Sequence, residues 1–519
     1  MKKYILPVAF LTLLSVQSAF GQSIYDDAKI LSLDESNGTA RFKALGGVNT
    51  SLGGDISSVS GNPAGLGFFG QSDASISFNM LNNNNKTSFY GQNQNKNFAK
   101  FGIDNAGVVL AFPTAYNQDV GWQNFNIGLS VNRQNNYNDK VVYSGINSKN
   151  TLVQSLTDAM FGSPSFTNDF RKSYLVEAFG DNPKEYFPIA LEGDPKGQQV
   201  DILSGGYKYL SNFSVGANYS HNFYIGAGVG LLSYKNSYSR DVYERGWTKT
   251  AEEIMPDANP DSPFLKPGSV QNSYTDINYA LTDRYSSEST GYGANFNIGM
   301  IIKPSWDWNF GLTFTSPTWT TIKFDDYLDT QAEYYQDDKS TNQIRPKYIS
   351  EVGGESRDYS IISPWKTAIG LTKFFGRGLI SADLEFVGYD NVKYVNEAYN
   401  ANAADELAIN RDLKNSFKSN FNFRAGAEYV FTDRFTGRAG FNYLGSPYEN
   451  TSKGSYIGSL GLGYIFPNAM YIDLTAMQYE SSTYYDVTYK LDDIWKSPAP
   501  EAEIKNSRTN VVMTLGVKF

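Results

Sequence analysis

From residue 72 to the end of the chain, apolar and polar residues alternate in short segments separated by turn-rich stretches. In "FNIGLSVN", Phe125, Ile127, Leu129 and Val131 share one face, while Asn126, Gly128, Ser130 and Asn132 share the other. "FSVGANY" sets Phe213, Val215, Ala217 and Tyr219 against Ser214, Gly216 and Asn218. "YGANFNIG" sets Tyr292, Ala294, Phe296 and Ile298 against Gly293, Asn295 and Asn297. The chain closes on "VVMTLGVKF", with Val511, Met513, Leu515, Val517 and Phe519 on the apolar side. A period of two marks strands with one apolar face.

The pattern predicts strands near 72–82, 102–113, 123–137, 211–220, 222–236, 289–302, 306–319, 361–374, 378–389, 420–431, 435–444, 455–465, 470–480 and 510–519, fourteen in all. Their connections alternate in length. Short ones such as "SHN", "KPSW" and "FTDRF" are followed by long ones covering 83–101, 138–210, 237–288, 320–360, 390–419, 445–454 and 481–509. A soluble sandwich alternates too. Here, however, the second face is small and polar, as a lumen requires, and the loop asymmetry is that of an outer-membrane barrel. Closure gives every backbone group a partner in lipid, which an open sheet does not. The expected fold is therefore all-β: a transmembrane antiparallel barrel of about 14 strands over residues 71–519, with short periplasmic turns and long extracellular loops.

The N-terminus changes the picture. "MKKY", the apolar "ILPVAFLTLLSV" and the small residues Ala19 and Gly21 read as a secretory signal over residues 1–21, cut near Gly21/Gln22. Beyond it, no run approaches the roughly 20 apolar residues of a membrane helix. Residues 22–70 lack strand alternation yet carry Leu45, Val48, Leu52, Ile56, Val59, Leu66, Phe68 and Phe69, which a solvated tail would not. They are expected to fold as a plug inside the lumen. Within them, "SVSGNPAGLG" puts Pro63 and Gly65 at a sharp turn just before the first strand.

The stretch "ARFKALGGVNTSLGGDISSVSGNPAGLG" resembles the N-terminal hatch of the FadL family of outer-membrane fatty-acid and hydrocarbon transporters, which includes TodX-type members. "GLTFTSPTWTTIKFDD", "SPWKTAIGLTKFFGRGLISADLEFVGYDNVKY" and "FRAGAEYVFTDRFTGRAGFNYLGSPY" resemble later strands of that family, in family order, and the whole looks closest to its Bacteroidetes-type branch. The resemblance implies a fourteen-stranded barrel with a hatch. It implies passive uptake of hydrophobic ligands, caught at the loops, passed inward and released through a lateral opening. Asn62, Pro63, Ala64 and Gly65 match the hatch motif beside that opening.

Composition narrows the chemistry. The formal charge of −9 argues against nucleic acid as a partner, and loss of Lys2 and Lys3 with the signal makes the mature chain more acidic still. There is no Cys and one His, His221, in the turn "SHN", so neither a nucleophile–His pair nor a conventional zinc site is expected. No cofactor and no enzymatic activity are expected. "GAGVG" (226–230) lies in a strand and reads as small lumen positions, not a dinucleotide loop. Asp325/Asp326 and Asp337/Asp338 read as solvated loop charge.

Asp383, Glu385, Arg424, Glu428 and Arg438 all fall on the inward face of neighbouring strands. The lipid face would cost about 2–4 kcal/mol for a central Arg. The favoured role is an ion network bracing the wall or holding the plug, and the alternative is an anchor for a ligand carboxylate at Arg424 or Arg438. "NTLVQSLTDAMFG" (150–162) and "SYLVEAFGDNPKEYFPIAL" (173–191) are helix-capable loop pieces whose apolar residues would either bind ligand or another protein, or pack over the barrel mouth. The expected partners are a hydrophobic small molecule, outer-membrane lipid and, through the loops, other outer-membrane proteins. A second functional reading makes the barrel an accessory subunit of a larger outer-membrane complex.

Overall fold

In the computed structural model, which describes residues 24–34, 38–113, 120–148, 151–159, 170–191, 196–337, 342–352, 354, 356–397, 403–449, 454–481 and 502–519, the alternating segments form one antiparallel sheet closed on itself. Its strands are β1 (Asp73–Phe89), β2 (Gln92–Pro113), β3 (Trp122–Asn136, continued by Asp139–Asn147), β4 (Lys196–Tyr219), β5 (Phe223–Trp247), β6 (Asn278–Ser305) and β7 (Trp308–Thr315, continued by Trp319–Tyr335). They continue with β8 (Tyr348–Val352, Ser356–Ile362 and Lys366–Phe375), β9 (Gly378–Val387 and Lys393–Asn396), β10 (Asn420–Val430), β11 (Phe435–Leu444), β12 (Ser455–Ile465), β13 (Met470–Ser481) and β14 (Ala502–Lys518). β14 pairs with β1 along the whole of Asp73–Phe89, and this closes the ring of fourteen. Ser72 and Phe519 then exchange backbone hydrogen bonds, locking the last residue to the start of the first strand.

Each expected strand is present, but most run further than the alternation suggested. The stretch 83–101 is no loop: β1 and β2 remain paired up to Phe89 and Gln92, with a tight turn at Tyr90 and Gly91. Asp325 and Asp326 likewise belong to β7, not to a loop. β7 and β8 are interrupted side by side at Ser316–Pro317 and Ser363–Pro364, where proline has no N–H to give the ladder; the ends are stitched by Ser363 N–H to the Thr318 carbonyl at 3.0 Å. The signal segment 1–21, its cut at Gly21/Gln22, and Asp338 lie outside the described residues.

The outward face carries an apolar belt: Phe101, Leu129, Phe213, Leu231, Ile369 and Leu460 are each between 49% and 69% exposed to solvent. A belt of that extent on a closed barrel is stable only when lipid covers it. No described helix is long and apolar enough to cross a membrane.

At the loop end, Leu152, Val153 and Leu156 of a helix (Leu152–Ala159) are buried with Phe170, Leu175 and Val176 against strand residues Tyr143, Val200, Tyr279 and Tyr334. The 173–191 piece is not a helix. Val176–Phe179 and Asn182–Pro188 pair as a small hairpin around Gly180, whose φ of 53° favours glycine and breaks a helix there. The apolar loop residues thus face inward and roof the barrel.

Candidate functional site

The segment 38–70 folds through three short helical turns, each with a side-chain cap. Thr39 caps a short helix (Ala40–Ala44), Asp55 accepts from Ser57 N–H at 2.8 Å to start Ile56–Val59, and Asn62 accepts from Ala64 N–H at 3.0 Å to start Pro63–Phe68. Asn-Pro-Ala-Gly is therefore a helix start: Asn62 is the cap and Pro63 the first residue, where a missing N–H costs nothing. The other end of the Asn62 amide donates to the Thr50 carbonyl at 2.6 Å, so one side chain ties two turns of the segment together.

This segment meets the inward face of strands around the ring. Asn126 on β3 donates to the Leu66 carbonyl at 2.6 Å, Ser214 on β4 to Val59 at 2.6 Å, Asn309 on β7 to Ser51 at 3.1 Å, and Thr475 on β13 to Ala40 at 2.6 Å. Contacts on opposite sides of a closed ring place the segment in the lumen. The small inward residues make the room: a Cβ on Gly226 would sit 2.3 Å from the Pro63 carbonyl carbon, and one on Gly299 would sit 1.9 Å from Asn62 Oδ1. Asn62, Pro63, Ala64 and Gly65 are all buried, and Ala64 packs on Tyr224 and Ile301.

The five inward charges do not form one cluster. Asp383 accepts from the backbone N–H groups of Asn49 and Thr50 at 2.8 and 2.9 Å, and so grips the plug directly. Glu385 pairs with Arg424 at 2.7 Å. Glu428 takes Arg41 of the Ala40–Ala44 helix at 2.9 Å and Arg438 at 2.6 Å, and Arg438 also pairs with Asp473. Arg438 is thus committed to two carboxylates. Arg424 keeps a buried Nε with no hydrogen-bond partner. His221 sits in its turn at φ 57° beside Asn218, away from any charge pair.

Two further groups involve residues outside the alternating strands. Buried Lys43 of the Ala40–Ala44 helix pairs with Asp104, which also accepts from Arg133 at 2.8 Å. Further toward the loop end, a helix over residues 24–32 buries Ile24, Ala28 and Leu31 among Leu232, Ile322, Phe324, Ile361 and Val387. Its Asp27 is 2% exposed and accepts from the hydroxyls of Tyr234, Tyr359 and Ser289 at 2.6, 2.5 and 2.7 Å. Burial pushes the Asp27 carboxyl up, against those three donors. Just past this helix, Asp34 is held between Lys208, at 2.6 Å, and Lys366. Burial alone would raise the Asp34 carboxyl, but the two ammonium groups outweigh it and hold it well below the usual carboxylate range. Lys208 and Lys366 are inward positions whose charge the residue pattern displays; their partner sits in a segment without periodicity, so sequence gave no means of pairing them.

No family model and no curated protein sequence matches the chain. Among solved structures, a Pseudomonas aeruginosa FadL homologue superposes with a TM-score of 0.54 at 14% identity, covering 94% of this chain and all of that one. The chain has the FadL fold. The Pseudomonas putida toluene transporter TodX is similar at 13% identity and TM-score 0.49, covering 93% of this chain and 99% of its own. The Ralstonia pickettii toluene transporter TbuX follows at 12% identity and TM-score 0.45, with 93% and 99% covered.

Proposed function

We propose that this FadL-fold barrel resides in the Gram-negative outer membrane and lets hydrophobic small molecules with a carboxylate head, of which long-chain fatty acids are the representative, pass without energy input. The observation that carries this reading is the chamber filled by residues 24–34. The apolar side of a helix, Ile24, Ala28 and Leu31, lies among Leu232, Ile322, Phe324 and Ile361, and a carboxylate at its end is gripped by Lys208 and Lys366. Apolar body and anionic head are the two features of a fatty acid, and the chain's own N-terminal segment supplies both. When that segment withdraws, the same walls and the same two ammonium groups accept a ligand of matching chemistry.

The roof of apolar loop residues is the capture side, and opening it admits ligand to the chamber. The hatch around Asn62–Gly65 separates the chamber from the turn end, which faces the periplasm. Release is sideways, toward a pocket of about 850 Å³ lined by lipid-facing Ile76, Val108, Leu129, Val131, Phe213 and Leu515. At Gly107 of β2, which lines this pocket, the hatch lies directly against the wall: a Cβ there would sit 2.5 Å from Ile56. The inward charges at Asp383 and Glu428 hold the hatch, and the ligand head falls to Lys208 and Lys366. Purified chain titrated with a panel of fatty acids of increasing length tests this. Saturable binding that tightens with chain length supports it, and a flat response across the panel removes it.

A further inference from the structure

The segment that fills the chamber is held at two stations of different chemistry. At its end, Asp34 lies between the ammonium groups of Lys208 and Lys366. Earlier in the helix, Asp27 takes three hydroxyl donors, Tyr234 of β5, Ser289 of β6 and Tyr359 of β8, at 2.6, 2.7 and 2.5 Å. Among the described residues no ammonium or guanidinium group pairs with Asp27; its carboxyl is held by hydroxyls alone. A helical rise of about 1.5 Å per residue separates the two stations by about 10 Å. The hydroxyl station is rigid. Tyr234, Ser289 and Tyr359 are 2%, 3% and 1% exposed. The Tyr234 ring packs edge-on against Tyr137, with centroids 6.1 Å apart, and the Tyr359 ring packs on Tyr394 at 5.7 Å. Packing within the wall therefore aims both phenol groups into the chamber.

The lysine station suits an ionised head. The hydroxyl station suits an uncharged oxygen. A hydroxyl or carbonyl oxygen accepts hydrogen bonds through two lone pairs, whereas an ionised carboxylate there would be buried without a counter-charge. Asp27 itself behaves this way, since burial raises its carboxyl toward the neutral form. An all-methylene tail in place of the segment would cover the three O–H groups and offer them no acceptor, and buried donors without acceptors weaken binding. From the two stations we infer that the chamber selects long-chain fatty acids carrying a second, uncharged oxygen, as a hydroxyl or oxo group, about 10 Å from the carboxylate. An extended chain advances about 1.2 Å per bond, so this oxygen falls about eight or nine bonds from the carboxyl carbon, in the middle of the tail. The selectivity rests on the transport reading above, in which ligand replaces residues 24–34, and narrows its ligand class.

The test titrates the full chain in nanodiscs with stearate, 10-hydroxystearate and 3-hydroxystearate, each displacing the same fluorescent fatty acid. 10-Hydroxystearate is expected to bind about five- to tenfold tighter than stearate, and 3-hydroxystearate to match stearate. All three acids need the segment out, so its displacement cancels from their ratios. In the Tyr234→Phe/Tyr359→Phe variant the preference for 10-hydroxystearate is expected to vanish. Tyr359→Phe alone is expected to lose part of it, which keeps the test open should the double variant fold poorly. Equal binding of stearate and 10-hydroxystearate by the wild type overturns the selectivity and leaves fatty-acid passage standing. A preference that survives in Tyr234→Phe/Tyr359→Phe, or that 3-hydroxystearate shares, overturns it as well. If none of the three binds saturably, the transport reading falls and the selectivity falls with it.

Discussion

Replacing Asp34 with Asn tests how the N-terminal segment and a ligand share one chamber. The substitution keeps the shape of the side chain and removes its charge. Lys208 and Lys366 then lose their anion, and Lys208, only 6% exposed at its side chain, has little water to replace it. Breaking a buried ion pair from one side costs about 3–5 kcal/mol; because Asp34 is 28% exposed and Lys366 20%, the lower range of about 2–3 kcal/mol applies. Asp27 and its three hydroxyl donors remain, so the helix is loosened rather than expelled. A ligand that needs the segment out gains apparent affinity by the same population factor, about 30- to 150-fold. Displacement of a fluorescent fatty acid from wild type and Asp34→Asn measures it. The gain is expected for carboxylates and to be much smaller for an alkanol of equal length. Unchanged or weaker fatty-acid binding in Asp34→Asn refutes the competition, and a gain equal for acid and alcohol refutes the role of the two lysines.

Other consequences are as direct. Gly226→Val sets a side chain into Pro63, so the hatch shifts at a cost of about 1–3 kcal/mol; the barrel should fold and keep its heat-modifiable mobility on gels while planar-bilayer conductance rises above that of wild type. Asp383→Ala leaves the N–H groups of Asn49 and Thr50 without their acceptor, at about 1–3 kcal/mol for each one left buried, and hydrogen exchange should quicken over residues 45–55 but not in β9. Asp104→Asn leaves Lys43 and Arg133 without a carboxylate; its melting temperature in detergent should fall, and restoring charge with Asp104→Glu should recover part of it. Asp34, with its pKa depressed, contributes fully above the ordinary carboxylate value of about 3.9 and loses that contribution only as pH falls through its lower folded value. Asp27, shifted up, contributes most at low pH. Amide protection of residues 24–34, corrected for intrinsic rates, should therefore persist from pH 8 down to pH 4.5.

The strands legible in the sequence are those the lipid face disciplines. In β3 the row Phe125, Ile127, Leu129 and Val131 must be apolar, so the alternation announces the strand and its phase. Past that belt the outward positions of β1 become Asn82, Asn84 and Lys86; pairing to β2 continues, but nothing in the residue pattern marks it. The same phase put Asp383, Glu385, Arg424, Glu428 and Arg438 on the inward face, where the structure has them. Their partners Arg41, Asn49 and Thr50 were beyond reach, because a plug of three short turns has no period from which to read contacts. The 173–191 piece misled for another reason. Its apolar spacing allowed a helix, and the turn at Gly180 and Asp181 outweighed it.

Transport as proposed requires that an amphiphile take the place of residues 24–34, with its carboxylate between Lys208 and Lys366. A structure of the Asp34→Asn chain with oleate bound tests it most directly. The oleate head is expected within hydrogen-bond reach of both Nζ atoms, the tail along Leu232, Ile322 and Phe324, and the helix gone from the chamber. Oleate bound elsewhere, with the helix still seated on Tyr234 and Tyr359, would contradict it.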